Sequence, residues 1–378
     1  MTNMISQTTR QERGEAIARS QNQIKRIDEN TYAVKSQSHD GEYCISKVCG
    51  EWICECPDNK YRHAKCKHIY AVEFSLSFRA EVSVRRIEPI ENLTECIYCG
   101  SSDIVKDGVR HNKHGDLQIY TCRSCGHYFT INLGFERMRA TPQIITSAMQ
   151  LYFTGESLRN VQKFLRLQGV KVSHVAILKW IRKYVALMNQ YLEKIKPNVS
   201  DTWRADELYV KIKGDVKYLF ALMDDETRFW IAQEVADTKA MHDAKNLFHI
   251  GKTLMGKKPK TLITDKLNSY HDAWRKEFYT NKKATCTTHV NSIKFSSTMN
   301  NNKMERMNGE IRDREKTMRG LKTKDTSVLC GYQIFHNYIR PHEGLEGRTP
   351  AEACGIKVEG ENKWLTIIQN ATKQHDQT

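Results

Sequence analysis

Seven of the twelve cysteines in this 378-residue chain lie in two tight clusters, and no other feature narrows its possible folds as much. The clusters read Cys54-x-Cys56-x9-Cys66-x-His68 and Cys96-x2-Cys99-x22-Cys122-x2-Cys125. Each offers four soft or borderline donors as two close pairs, which suits a tetrahedral zinc ion. Four protein ligands close the coordination sphere, so both zinc ions are expected to be structural rather than catalytic. A secreted disulfide framework is the competing use of so many cysteines. The N-terminal "MTNMISQTTRQERGEAIARSQNQIKR" lacks the apolar stretch of an export signal and argues against it. The remaining cysteines (Cys44, Cys49, Cys286, Cys330 and Cys354) are scattered and read as small buried apolar side chains.

Charge sets the expected partner. Lys plus Arg number 59 against 44 Asp plus Glu, a formal net charge of +15. The pI is about 9.2. Such a balance attracts polyanions, and nucleic acid leads. With a mean hydropathy of −0.62 and no apolar run longer than "YLFALM" at 218–223, no membrane span is expected. The expected location is the cytoplasm, with the nucleoid.

The chain reads as six segments. Residues 1–28 are polar and uncapped, a mobile segment or a frayed helix. Residues 30–79 alternate weakly as short strands and then become helical, carrying the first cluster. "WICECPD" and "CKHIYAV" there resemble the SWIM-type zinc finger. Residues 92–135 hold the second cluster, with Gly100 and Gly126 after its knuckles, where reversal needs positive φ. A strand–turn–strand pattern between the knuckles makes this segment resemble a zinc ribbon. Residues 141–196 read as three helices: one starting at Pro142, one capped by Ser157 with Leu158, Val161, Phe164 and Leu165 in a stripe, and one capped by Ser173. The third turns Ile177, Trp180, Ile181 and Tyr184 inward and His174, Lys179 and Arg182 outward. This is a helix-turn-helix that reads DNA or a plain three-helix linker. Residues 357–378 form a tail with one apolar patch, "WLTIIQN".

Residues 200–356 carry the chemistry. "TWRADELYVKIKG", "VKYLFALMD" and "RFWIAQEVAD" predict an antiparallel meander, with Asp224, Asp225 and Glu226 in a solvated hairpin turn. A helix from about Lys239 to Met255, the strand "KTLITD", the helix "SYHDAWRKEFY", the strand "ATCTTHV" and a final helix follow. The order βββ-α-β-α-β-α is RNase H-like, a mixed sheet with helices on its faces, within a multidomain α+β chain that starts with zinc-finger modules and a helix-turn-helix. Asp206 lies in the first strand, facing opposite to Glu207, and Asp265 ends the fourth, which a right-handed crossover sets beside the first. An acid of the last helix, from "NNKMERMNGEIRDR" at 301–314, can complete the group. Converging carboxylates repel unless cations lie between them, and oxygen donors select Mg²⁺ or Mn²⁺. Two such ions suit phosphoryl transfer. Asp265 could instead form an Asx turn, and His289 and His342 could line the site or pack at element ends.

"WRADELYVKIKG", "LITDKLNSY", "NNKMERMNGEIRDREKTMRGL" and "HNYIRPHEGLEGRTPAEACGI" resemble prokaryotic, archaeal-type insertion-sequence DDE transposases with an integrase-like catalytic core. The resemblance spans roughly residues 92–356. It implies a catalytic triad of Asp206, Asp265 and Glu305, with Asp206 bridging two metal ions and the others holding one each. It also implies a basic residue seven positions after the glutamate, here Arg312, and DNA contacts from Lys316 and Arg319. The implied partners are the element's terminal inverted repeats and target DNA, and the implied assembly is a homodimer or larger. A 39-residue spacer between Asp265 and Glu305, and Leu208 where threonine is common, depart from the pattern. If Glu305 faces the metal, Glu310, about 140° round a 3.6-residue helix, faces solvent. A catalytically silent DNA-binding regulator and a hydrolytic nuclease of the same fold are the alternatives.

Overall fold

The computed structural model describes residues 2–20, 23–28, 30–48, 51–80, 84–90, 94–112, 115–130, 133–136, 138–281, 286–291, 302–318, 321 and 327–375. They form two compact units that divide between Val84 and Arg85. The first holds helix α1 (Thr2–Arg19), strands β1 (Ile24–Arg26), β2 (Thr31–Lys35), β3 (Glu42–Val48) and β4 (Glu51–Cys54), then α2 (Pro57–Arg62) and α3 (Lys67–Ala80). The strands form an antiparallel sheet in chain order. Its core is small: Tyr32, Val34, Ile45, Ile69 and Val72, joined by Ile17 from α1.

Of the two readings of the polar opening segment the structure takes the helical one, with 18 residues packed on α3. Gly14 allows the approach, since a Cβ there would stand 2.4 Å from Tyr70 Cβ. Arg10 Nε also meets Asp58 Oδ2 at 2.8 Å. The buried positions are so few among polar neighbours that no apolar periodicity marks them.

The second unit opens with β5 (Arg85–Ile87). The ribbon follows as three antiparallel strands, β6 (Ile104–Asn112), β7 (Gly115–Cys122) and β8 (Tyr128–Thr130). Next come α4 (Pro142–Thr154), α5 (Leu158–Leu167) and α6 (His174–Leu192), in helix-turn-helix order. Ser157 and Ser173 cap α5 and α6, each Oγ accepting from an amide at 3.2 Å. Ile177, Trp180, Ile181 and Tyr184 are buried as expected. Phe164 is not: the short α5 rolls its stripe onto Val161 and Leu165 and leaves Phe164 43% exposed.

The remainder is built on a five-stranded sheet. In chain order come β9 (Thr202–Ile212), β10 (Asp215–Asp224), β11 (Trp230–Ala236), α7 (Met241–Met255), β12 (Thr261–Ile263), α8 (Asn268–Glu277), β13 (Thr288–Val290), α9 (Asn302–Met318), α10 (Ser327–Ile334), α11 (Pro350–Ala353), β14 (Ile356–Val358) and α12 (Lys363–His375). A π-helical turn, Phe335–Ile339, continues α10, and β14 pairs in parallel with β5. The sheet order is β11-β10-β9-β12-β13, antiparallel through the first three strands and parallel from β9 to β12 to β13. This is the RNase H-like order. Parallel pairing needs a crossover, which α7 and α8 supply.

One continuous core runs from α4 through the sheet to α12. Residues 363–375 are therefore no free tail: Trp364, Ile367 and Ile368 are buried, and Trp364 stacks on Phe153 at 5.4 Å. The β10–β11 turn also departs from expectation. Asp224 is fully buried and accepts from Ser200 Oγ and Thr227 Oγ1 at 2.6 Å each, while burial pushes its carboxyl up to about 6. Asp225 pairs with Arg204 and with Lys303 of α9. Ser200 before β9 and Lys303 in the first turn of α9 meet this hairpin, so Asp224 and Asp225 act as anchors rather than as solvated turn residues.

His336 and His342 are buried at the π-helical turn, their ring centres 4.6 Å apart, with His336 Nε2 donating to the Arg228 carbonyl at 3.0 Å. Burial lowers His336 to about 3, against about 6.5 in an unfolded chain. A base depressed by folding contributes stability that is complete above about pH 6.5 and is lost progressively toward pH 3. Acidification from pH 7 to 5 should therefore lower the unfolding temperature, and His336→Gln should flatten that slope in thermal scans across the range.

Candidate active site

At the first cysteine cluster, β4 delivers Cys54, the turn before α2 delivers Cys56, and the start of α3 delivers Cys66 and His68. All four are buried, with their ligand atoms within 4.8 Å of one another. His68 Nδ1 stands 3.9 Å from Cys54 Sγ. Asn59, which the sequence does not single out, fixes this loop: its Oδ1 accepts from Cys54 N at 2.8 Å and its Nδ2 donates to Ala64 O at 3.0 Å. The hydrogen bond from Cys54 lowers Cys66 to about 4 while Cys54 itself is pushed up. Thiols this close share protons unless a cation takes their place. At the ribbon, Cys96–Cys125 and Cys99–Cys122 are each 3.6 Å apart, against about 3.8 Å between corners of a tetrahedron with bonds of about 2.3 Å. Gly100 and Gly126 take φ of 72° and 73°, so the two knuckles match. Both donor sets fit zinc.

The acids gather where the ladder between β9 and β12 stops. Its last pair is Ile263 with Arg204, so Asp265, two residues on, lies level with Asp206. Carboxylate oxygens of Asp206, Glu207 and Asp265 lie within 4.8 Å of one another. Burial and the charges of Glu207, Asp265 and Glu305 push Asp206 up to about 7. Burial and Glu207 raise Asp265. Oxygen donors held together against their own repulsion fit a hard divalent cation. One Asp265 oxygen also accepts from Leu267 N at 3.0 Å, so the Asx-turn reading and the cluster reading both hold.

Helix α9 lies against β9 and donates from Asn308 Nδ2 to Asp206 Oδ2 at 2.9 Å. Met304, Met307 and Ile311 seat it in the core. At about 100° per residue, Glu305 and Arg312 fall on the rim of that buried face, and both are exposed. Glu305 is thus beside the cluster, close enough for its charge to raise Asp206, but outside the group of three. Glu310 corrects an expectation. It does not face solvent but receives Arg340 through two bonds, at 2.5 and 2.7 Å. Arg340 is thereby tied to α9, and His342 is buried against His336. His289 Nε2 meets Thr264 Oγ1 at 2.9 Å, beside Asp265, and burial lowers it to about 4.

Among the basic candidates, Lys179 and Arg182 are exposed on α6, and Lys316 is exposed on α9 beside Asp313. Arg319 lies outside the described residues. The residues that sequence reasoning missed are Glu207, Lys239 and Tyr270, since strand alternation places Glu207 on the face away from Asp206.

Residues 200–342, which hold Asp206, Asp265 and Glu305, match the model of the DDE domain family, and residues 50–77 match that of the SWIM zinc finger. These two stretches are what the chain shares with those families. Its relatives include the transposase for insertion sequence-like element IS431mec of Staphylococcus aureus (strain Mu50), 29% identical over 140 residues, or 36% of this chain and 60% of the relative. The transposase for insertion sequence element IS257 in transposon Tn4003 of Staphylococcus aureus matches to the same extent. The chain thus spans about 60% of the length of the curated relatives it matches. Among solved structures, the HTLV-2 integrase catalytic core domain in complex with magnesium aligns at 15% identity and a TM-score of 0.30, over 42% of this chain and 98% of that one. A simian T-cell lymphotropic virus intasome aligns at 14% identity and a TM-score of 0.30, over 52% and 69%. No helix among the described residues is long and apolar enough to cross a membrane.

The two α9 glutamates should separate cleanly in unfolding measurements. Glu310→Gln should cost about 1.5–3 kcal/mol by breaking the charged pair with Arg340. Glu305→Gln, at an exposed position, should change stability by no more than about 0.5 kcal/mol.

Proposed function

We propose that this chain is an insertion-sequence DDE transposase that cuts DNA at the element ends and joins the freed 3′ ends to target DNA. The observation that carries the reading is the meeting of Asp206 and Asp265 on adjacent parallel strands beside α9, inside the stretch that matches the DDE domain. Asp206, Asp265 and Glu305 would hold the two Mg²⁺ or Mn²⁺ ions, and Asn308 would fix the orientation of Asp206. Bound there, such ions would polarise the attacking oxygen and neutralise charge at phosphorus. In the first step the oxygen of water bonds to phosphorus and the 3′-oxygen leaves as a hydroxyl. In the second, that hydroxyl attacks a target phosphate and the target's own 3′-oxygen leaves.

The remaining parts read as the DNA-holding apparatus. Arg312 and Lys316 on α9 and Lys179 and Arg182 on α6 would meet phosphates, positioning the duplex without reading its sequence. Residues 141–196 would seat the terminal repeat while residues 200–356 perform the chemistry. The clusters at Cys54–His68 and Cys96–Cys125 would each hold one structural zinc. Joining two ends requires two copies or more, acting in the cytoplasm on the nucleoid.

Purified protein should cut and join labelled element ends with Mg²⁺, and Asp206→Asn or Glu305→Gln should lower the rate by about 10²–10³-fold or more. Full 3′-end cleavage by Asp206→Asn would sink the site assignment. Nicks without joined strands would identify a nuclease, and tight DNA binding without cleavage a regulator. Elemental analysis should find two zinc ions per chain, falling to one in Cys66→Ser and in Cys122→Ser.

A further inference from the structure

Of the three carboxylates in the cluster, Glu207 is the one whose two oxygens are both held by side chains. Lys239 Nζ donates to Oε1 at 2.7 Å and Tyr270 OH donates to Oε2 at 2.8 Å. The Glu207 side chain is only 6% exposed. Neither donor is free to drift. Lys239 lies 4.8 Å above the Tyr209 ring and 5.2 Å above the Tyr218 ring, an aromatic pair facing each other across β9 and β10. Its backbone is pinned on both sides, because Thr238 Oγ1 and Ala240 N both donate to Asp243 Oδ2 at the start of α7. The Tyr270 ring is fully buried, stacked on Phe248 and edge-on to Phe220.

We infer that Glu207, although it lies among the acids, is withheld from metal by a Lys239–Tyr270 clamp, which reserves the third metal position for the acid on α9. The inference rests on the metal reading proposed above. An ammonium fixed against one carboxylate oxygen repels a divalent cation from it, and the tyrosine hydroxyl occupies the other oxygen. Asp206 and Asp265 are held differently: one oxygen of Asp206 accepts from an amide side chain and one of Asp265 from a backbone amide, both uncharged donors. Lys239 is therefore a positioning residue, which with Tyr270 sets which acids are available to a cation.

The test is Mn²⁺ binding without DNA, read by electron paramagnetic resonance titration of full-length protein, with circular dichroism confirming that each variant is folded. Asp206→Asn and Asp265→Asn should weaken Mn²⁺ by about tenfold or more, at least the loss seen when a metal site's supporting shell is removed. Glu207→Gln should stay close to the parent protein. Lys239→Met frees a carboxylate beside the ions and should tighten Mn²⁺ several-fold, and adding Glu207→Gln to it should restore the parent value. Loss of Mn²⁺ in Glu207→Gln equal to that in Asp206→Asn would make Glu207 a ligand and overturn the inference. So would unchanged binding in Lys239→Met. Unchanged binding in Asp206→Asn would instead overturn the metal reading on which the inference stands.

Discussion

The parallel pairing of β12 with β9 is the contact on which the rest of the site depends. It is short, three residue pairs ending at Ile263 and Arg204. Its shortness matters, because β12 ends before the acids: Asp206 stays paired with β10 on one side, while Asp265 meets it on the other just past the end of β12. The surrounding apolar mass keeps it in register. Trp203 of β9 and Leu262 of β12 are buried with no more than trace exposure, against Tyr270 and Phe278, and a slip of one residue would turn the side chains of the slipped strand to the wrong face.

Gathering negative charge at that point is unfavourable, and the protein offsets it with fixed groups. Glu207 is tied to Lys239 and Tyr270, and Asp206 to Asn308. Helix α9, which supplies Asn308 and Glu305, is held from several directions. Lys303 donates to Asp225, Glu310 receives Arg340, and Glu315 accepts from the Lys211 amide. Arg314 is buried over the Tyr152 ring and donates to the Glu156 carbonyl in the turn between α4 and α5. The helix that flanks the acids is therefore bonded directly to α4 and the turn after it, and one core joins them.

Much of this was legible from the residues. Ligand spacing gave both cysteine clusters, because zinc geometry leaves few alternatives. The strand and helix order gave the sheet, because a crossover helix must separate parallel strands. Phe164 stays exposed because the short α5 does not cover its whole apolar stripe. The misread acids Asp224, Asp225 and Glu310 share another cause: they are polar groups held by partners distant in sequence, Ser200, Lys303 and Arg340. Polarity in a single segment reads as exposure, since the partner that satisfies it lies elsewhere in the chain.

The sequence by itself determined which atoms are available for chemistry: the thiols and imidazole for zinc, and the acids within β9, just past β12 and on α9. These follow from residue type and from spacing along one element. Only the tertiary structure decided how the acids divide. It placed Glu207 in the cluster yet bound both of its oxygens, left Glu305 on the exposed rim of α9, and turned Glu310 into an anchor. Those outcomes rest on hydrogen bonds and ion pairs between segments tens of residues apart, which no local pattern records.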